Sequence, residues 1–205
     1  MSTTILHIDS SAHDKGSVTR QLSADTVAQL KQTYPDAKVI YRDLMRNPLP
    51  HANADFIKAI SGGPLEGAAA EDHKQSEALI AELLSADILV IGAPMYNFTV
   101  PTQLKAWIDY VVIAGKTFKY TATGLQGLVT GKRAFIVSAT GGVYSSGPMA
   151  TYDHVVPYLK QVLGFIGITD VQAIIAEKQG MGPESAAESL AAARKELGEK
   201  LKKAS

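Results

Sequence analysis

Five short runs rich in β-branched residues recur along the chain with helical patterns between them, and this alternation restricts the fold more than any other feature. The runs are Thr3 to Asp9, Ala37 to Arg42, Asp87 to Gly92, Arg133 to Ser138, and Asp170 to Ala176. Strands separated by helices align in parallel, and such a sheet is covered by helices on both faces. Between the first two runs, Val18, Leu22, Val27, Leu30 and Tyr34 fall roughly on one face of a helix that begins near Ser17 and ends at Pro35. Leu104, Trp107, Ile108, Val111 and Val112 make the clearest i, i+3, i+4, i+7, i+8 stripe, with Pro101 at its first turn. A further helix around Val155, Leu159, Val162 and Leu163 leads to Gly164, and the last runs from about Pro183 to Lys202. Leu190, Leu197 and Leu201 form the inner face of the last helix. Lys200, Lys202 and Lys203 sit where the helix dipole favours cations. The pattern predicts an α/β three-layer sandwich with a five-stranded parallel sheet of order 2-1-3-4-5, and a Rossmann order also satisfies it.

Of the 205 residues, 46% are apolar and 20% charged, which supports one sizeable core and a single domain over 1–205. Lys plus Arg and Asp plus Glu each number 20, so no basic stripe points to nucleic acid and no acidic surface points to a small electron carrier. Cysteine is absent, which removes disulfides and thiolate chemistry and fits a reducing compartment. The stretch from Met1 to Asp9 has neither a basic n-region nor an apolar h-region. No apolar run approaches the roughly 18 residues that cross a bilayer. The expectation is a cytoplasmic protein without a membrane partner.

Two segments interrupt the repeat. His51 to Gly67 is expected to hold one short helix around Phe56 to Ile60 and to act as a flap. Lys116 to Gly131, with Phe118, Tyr120 and several Gly and Thr, reads equally as a surface excursion or as part of a site.

Three loops follow strand ends, where open α/β sheets bind ligands. Ser10 to Thr19 opens the first helix, and hydroxyls at Ser10, Ser17 and Thr19 beside free N–H groups suit an anion such as a monophosphate. Ser17 equally suits a helix cap. Ala93 to Pro101 is uncharged and carries Met95, Tyr96, Asn97 and Phe98, which favours a flat aromatic ligand. Ser138 to Val143 carries the pair Gly141 and Gly142, which lets backbone N–H groups approach a ligand or simply makes a tight turn. No G-x-G-x-x-G is present, and Gln126 stands where a P-loop ending at Gly131-Lys132 needs Gly. Placed side by side, the three loops offer partners to a phosphate, an aromatic plane and a polar ring edge, which together describe flavin mononucleotide (FMN).

The same residues resemble the FMN-dependent NAD(P)H azoreductases of the flavodoxin-like quinone reductase family over nearly the whole chain. The resemblance rests on Ser10-Ser11 with Ser17-x-Thr19-x-x-Leu22, on Ala93-Pro94-Met95-Tyr96-Asn97-Phe98, and on Gln103-Leu104-Lys105. It continues through Thr117-Phe118-x-Tyr120, Gly124-x-x-Gly127-Leu128-x-x-Gly131-Lys132, and Leu163-Gly164-Phe165-Ile166-Gly167-Ile168. It implies a flavodoxin-like fold in which Ser10, Ser17, Val18 and Thr19 hold the FMN phosphate. Met95, Tyr96, Asn97, Phe98, Ala139, Thr140, Gly141 and Gly142 would surround the ring. Many members have Ser-Arg where this chain has Ala139-Thr140. The resemblance further implies a homodimer whose sites draw on both chains, with Tyr120 and Phe165 toward the substrate and Phe118 and Phe56 as looser candidates. It implies a ping-pong oxidoreductase that takes electrons from NADH or NADPH and reduces quinones or aromatic azo bonds. No side chain is nominated as an obligatory acid or base, because the hydride chemistry belongs to the flavin.

Competing readings are weaker. A flavodoxin-like electron carrier without small-substrate turnover is the main alternative, and zero net charge with two extra segments argues against it. His7, His13, His51, His73 and His154 lack metal-ligand spacing and read as surface or satisfied histidines, so no metal is expected. Asp9 and Asp14 resemble the acidic pocket of a response regulator, but Gly92-Ala93-Pro94 stands where its phosphoacceptor would be. No G-x-S-x-G elbow supports a hydrolase. Trp107 and Tyr110 are read as core or as a dimer seam.

Overall fold

The structure is a computed structural model and describes residues 2–202. Lys203, expected in the last helical turn, lies outside the described residues. The chain runs β1 (Thr4–Asp9), α1 (Val18–Thr33), β2 (Lys38–Asp43), α2 (Ala54–Ile60), α3 (Gly67–Ser85), β3 (Ile88–Pro94) and α4 (Thr102–Val111). It continues through β4 (Phe118–Thr121), β5 (Gly124–Gly127), β6 (Arg133–Ala139), a 3-10 turn (Pro148–Tyr152), α5 (Val156–Ile166), β7 (Asp170–Ala176) and α6 (Pro183–Lys202). Among the described residues, β2-β1-β3-β6-β7 form one sheet in that order. Every neighbouring pair in it is parallel. The 2-1-3-4-5 order is therefore observed, and the Rossmann order is not.

β3 is central and buried along its whole length. Its alternate side chains feed two cores. Ile88 and Val90 pack with Leu22, Leu30 and Leu197 of α1 and α6. Leu89, Ile91 and Ala93 pack with residues of α3, α4 and α5 such as Leu83, Leu104 and Leu159. Complete burial of a Leu or Ile side chain contributes about 1.5–3 kcal/mol, and the apolar run of β3 collects that gain on both faces.

Both irregular segments are anchored. Asn53 caps α2 by accepting the Phe56 N–H at 2.9 Å. The Phe56 ring is 0% exposed and stacks on Tyr110 at 4.4 Å. The Lys116 to Gly131 segment is an antiparallel hairpin of β4 and β5. Its legs are tied down where Leu128 N–H donates to Thr117 O at 2.9 Å and Val129 N–H donates to Ile166 O at 2.8 Å. Gly127 lies against the end of α5, where a Cβ would meet Gly167 N at 2.3 Å and Ile166 C at 2.4 Å.

Those clashing atoms are backbone and cannot swing aside, so Gly127→Ala is expected to destabilise the protein by about 1–3 kcal/mol in urea unfolding. Gly164 meets nothing within 4 Å of an added Cβ. Gly164→Ala in α5 should be neutral or stabilising by up to about 1 kcal/mol. Equal effects of the two substitutions would contradict the docking of the hairpin on α5.

Candidate functional site

All five sheet strands end at one edge, and the loops after β1, β3, β6 and β7 close it. They enclose a cleft of about 160 Å³ lined by residues that include Ser17, Thr19, Met95, Tyr96, Thr140 and Gln179. In the first loop Gly16 has φ +75°, a conformation costly for a side chain. This turn delivers Ser17 as the N-cap of α1. Ser17 Oγ accepts the Arg20 N–H at 3.3 Å and lies 3.1 Å from Thr19 Oγ1. Ser17 is therefore both cap and cleft wall. The first-turn N–H groups of Val18 and Thr19 have no partner within the helix and carry the positive end of its dipole. Ser10 stands behind this wall: its hydroxyl donates to Gly92 O at 2.7 Å and its N–H reaches the same oxygen at 3.2 Å.

The β3 loop supplies an apolar and aromatic wall. Met95 N–H donates to Ala139 O at 3.0 Å, which seats this loop against the end of β6. Tyr96 and Thr99 exchange backbone hydrogen bonds of 3.0 and 3.2 Å around Asn97 and Phe98, whose φ values are +48° and +74°. Positive φ is unusual for a bulky residue and marks local strain of the kind found at ligand sites. The Tyr96 hydroxyl accepts the Ala12 N–H at 3.0 Å and so ties the first loop to the second. Phe98 is 41% exposed and meets the rings of Tyr144 and Tyr152 at 6.2 and 5.4 Å.

The third loop is held from outside. Gln179, Gly180 and Lys178 donate their N–H groups to Thr140 O, Gly141 O and Gly142 O at 3.0, 2.9 and 3.2 Å. The Thr140 hydroxyl also donates to Gly142 O at 2.8 Å. With their carbonyls engaged by the loop after β7, the backbone of Gly141 and Gly142 is held in place at the cleft edge. An added Cβ at Gly180 would lie 3.3 Å from Gly141 O, so a glycine suits this close approach. Ala139 and Thr140 line the cleft without supplying a cation.

Beneath the first loop lies a buried charged network. Asp43 accepts two hydrogen bonds from Arg20, at 2.7 and 3.0 Å. Asp9 accepts from Ser23 Oγ at 2.8 Å and Tyr41 Oη at 2.9 Å. Burial alone would raise the Asp43 pKa, but the Arg20 guanidinium and the N–H groups of Arg46 and Met45 outweigh it and hold the carboxyl below its ordinary value. Burial and the Asp9 carboxylate push the Tyr41 phenol up to about 12. His7 Nε2 lies 2.9 Å from Ser23 Oγ, so it is a satisfied histidine.

The aromatic candidates lie at the opposite edge of the sheet. Phe165 closes α5 just before β7 begins, and its ring meets Phe118 at 4.7 Å. Tyr120, 76% exposed on the hairpin, meets Phe118 edge-on at 5.6 Å. An apolar groove of about 510 Å³ runs beside them, lined by Ile57, Ile108, Val112, Val162 and Phe165.

A family whose sequence profile describes a flavodoxin-like fold matches residues 3–201. The chain belongs to the flavodoxin-like family. It is 50% identical over 197 residues to an FMN-dependent NADH:quinone oxidoreductase of Azospirillum brasilense, covering 94% of this chain and 95% of that one. A protein of the same name from Ralstonia nicotianae is 48% identical over 192 residues, covering 92% of each. Among solved structures, an azoreductase of Bacillus anthracis superposes with a TM-score of 0.88 at 32% identity, covering 96% of this chain and 97% of that one. An FMN-dependent NADH-azoreductase of the same species, in complex with FMN, gives 0.87 at 25% identity, covering 98% and 99%.

In this flavodoxin-like chain the cleft gathers Ser17, Val18, Thr19, Met95, Tyr96, Ala139, Thr140 and Gly141 from the expected set. Asn97, Phe98 and Gly142 continue the same two loops. Two expectations need correction. Phe56 is sealed in the core against Tyr110, so it cannot touch a substrate, and the segment that carries it is a packed helix. Trp107 and Tyr110 are buried in the core, one of their two readings. Ser11, His13, Gly16, Pro94 and Gln179 also line the cleft. Gln179-Gly180 follows the fifth strand at this edge, a signal like that of the three recognised loops.

Asp43 connects the site to pH. A carboxyl whose pKa is depressed by folding contributes stability that is full above its unfolded value, near 3.9, and is lost as pH falls through the folded value. Wild-type stability should therefore decline below about pH 4. Asp43→Asn should lower stability by about 3–5 kcal/mol at neutral pH and flatten that decline. Parallel acid-unfolding curves for the two proteins, measured by circular dichroism, would contradict this assignment.

Proposed function

We propose that the chain, read as one unit over 1–205, is an FMN-dependent oxidoreductase that uses NADH to reduce quinones and cleave aromatic azo bonds. The observation that carries this reading is the convergence at one sheet edge of a hydroxyl-lined helix N-terminus, an apolar wall and a glycine loop held in place through its carbonyls. Each suits one part of FMN. Val18 and Thr19 N–H groups with the Ser17 and Thr19 hydroxyls would hold the phosphate. Ser10, whose hydroxyl is committed to Gly92 O, would brace them. Met95, Tyr96, Asn97 and Phe98 would flank the ring from one loop, and Ala139, Thr140, Gly141 and Gly142 from the other.

FMN, when bound, would supply the two-electron redox chemistry of a ping-pong exchange between NADH and an acceptor. The protein's part is electrostatic and steric. Backbone N–H groups at Gly141 and Gly142 are pre-aimed by the Lys178 to Gly180 clamp, so they can stabilise negative charge without reorganising. The apolar wall excludes water. A quinone takes up two electrons and two protons in one cycle, whereas an azo bond needs two such cycles to become two amines. The reading places the protein in the cytoplasm, where NADH is supplied.

The substrate face requires a second copy. Phe118, Tyr120 and Phe165 stand at the amino edge of the sheet, across the molecule from the cleft. A homodimer joined along the Ile108 and Val162 groove would present one chain's Tyr120 and Phe165 to the other chain's cleft, with Phe118 supporting both.

Purified protein loaded with FMN should show an oxidised-flavin spectrum that NADH bleaches anaerobically and menadione or methyl red restores. Val162→Glu, placed in the groove, should give a monomer by light scattering that keeps its flavin and loses most acceptor turnover. FMN-loaded protein with no acceptor-dependent NADH oxidation would support an electron carrier instead. A fully active monomer would remove the shared-site arrangement.

A further inference from the structure

The guanidinium beneath the proposed phosphate site has every one of its donors engaged by the protein. Arg20 Nε donates to His13 O at 3.0 Å and Nη2 donates to Ser11 O at 2.9 Å. Nη1 and Nη2 grip the two Asp43 oxygens, and Nη1 also reaches Tyr41 Oη at 3.2 Å. A guanidinium has five N–H donors in a planar fork, and here each has a partner. The Arg20 side chain is 13% exposed and lies 3.7 Å from Asp9 Oδ2.

We propose that Arg20 is a positioning residue for phosphate recognition, acting through the carbonyl groups of Ser11 and His13 and never touching the ligand. The inference rests on the FMN reading. By drawing the Ser11 and His13 carbonyls toward itself, Arg20 turns their oxygens away from the place an anion would occupy. The Ser11–Ala12 peptide is also held at its other end, where Ala12 N–H donates to Tyr96 Oη at 3.0 Å. His13 N–H is held by Ser11 Oγ at 3.2 Å. The loop therefore enters Gly16 and Ser17 along one path, which sets the hydroxyls and first-turn N–H groups of α1.

Charge gives the same residue a second reason to be arginine. Asp9 and Asp43 end β1 and β2 directly beneath this loop, and both are almost fully buried. A phosphate bound above two uncompensated carboxylates would be repelled, and Arg20 is the cation between them. Lysine preserves that charge. Its single ammonium cannot bridge two carbonyls and both carboxylate oxygens in one plane. The two contributions are therefore separable by substitution.

The test compares FMN with riboflavin, which carries the same ring without the phosphate, by fluorescence titration of apoprotein. Wild-type protein should bind FMN more tightly. Arg20→Lys should weaken FMN by about tenfold or more and leave riboflavin within about twofold, so the affinity ratio collapses. A purely structural role would lower both affinities together. If Arg20→Lys fails to fold, the double variant Arg20→Gln with Asp43→Asn removes the hydrogen-bonded ion pair as a unit, leaves only the Asp9 carboxylate, and should show the same collapse. A folded variant of either kind that keeps the wild-type ratio overturns the role of Arg20. A wild-type protein with no preference for FMN over riboflavin fails one step earlier, at the phosphate site, and overturns both.

Discussion

Parallel pairing of every strand in the main sheet is the constraint on which the rest of the molecule depends. Because β2, β1, β3, β6 and β7 all run the same way, their carboxyl ends meet at one edge and each needs a crossover helix to return. The edge is closed by loops that cannot pair as strands, so their backbone groups must find other partners. Those partners are each other. Tyr96 joins the first loop to the second, Met95 joins the second to β6, and Lys178 to Gly180 join the fourth to the third. The cleft is the space left between loops that already satisfy one another's carbonyls.

The same bracing bears on how an uncharged cleft would receive the phosphate of the proposed FMN. No lysine or arginine side chain reaches in from α1, and the available donors are hydroxyls and N–H groups fixed by their surroundings. The charges lie one layer below, in Asp9, Asp43 and Arg20, where burial makes their mutual pairing strong and their exposure to a ligand small. The strained φ values of Asn97 and Phe98 fit the same scheme, because the Tyr96 to Thr99 bonds hold a conformation these residues would not adopt alone.

Much of this was legible in the sequence, for reasons that differ along the chain. The strands were readable because β-branched runs bounded by turn residues carry a strong local signal, and the strand at Asp170 to Ala176 matches in both bounds. Ser17 was readable as a helix start because serine is a favoured N-cap, and Met95 to Phe98 stood out because an uncharged, largely apolar run after a buried strand conflicts with an ordinary turn. The hairpin of β4 and β5 was not readable, since its four-residue strands are mostly exposed and its attachment depends on Gly127 meeting a distant helix end. Phe56 was misread because nothing local shows that its ring stacks on Tyr110, 54 positions away. Gln179 joined the site only once the strand order brought its loop to the cleft, and His13, in a loop already recognised, had been read as a surface or satisfied histidine.

The central claim is that FMN binds at the carboxyl edge with its phosphate on the first turn of α1. Adding FMN to nitrogen-15-labelled apoprotein and following each backbone N–H by NMR tests it directly. The account predicts that Val18, Thr19, Tyr96 and Gly141 shift strongly while Ile108 and Val162 in the groove do not. Strong shifts confined to the groove, with Val18 and Thr19 unmoved, would contradict it.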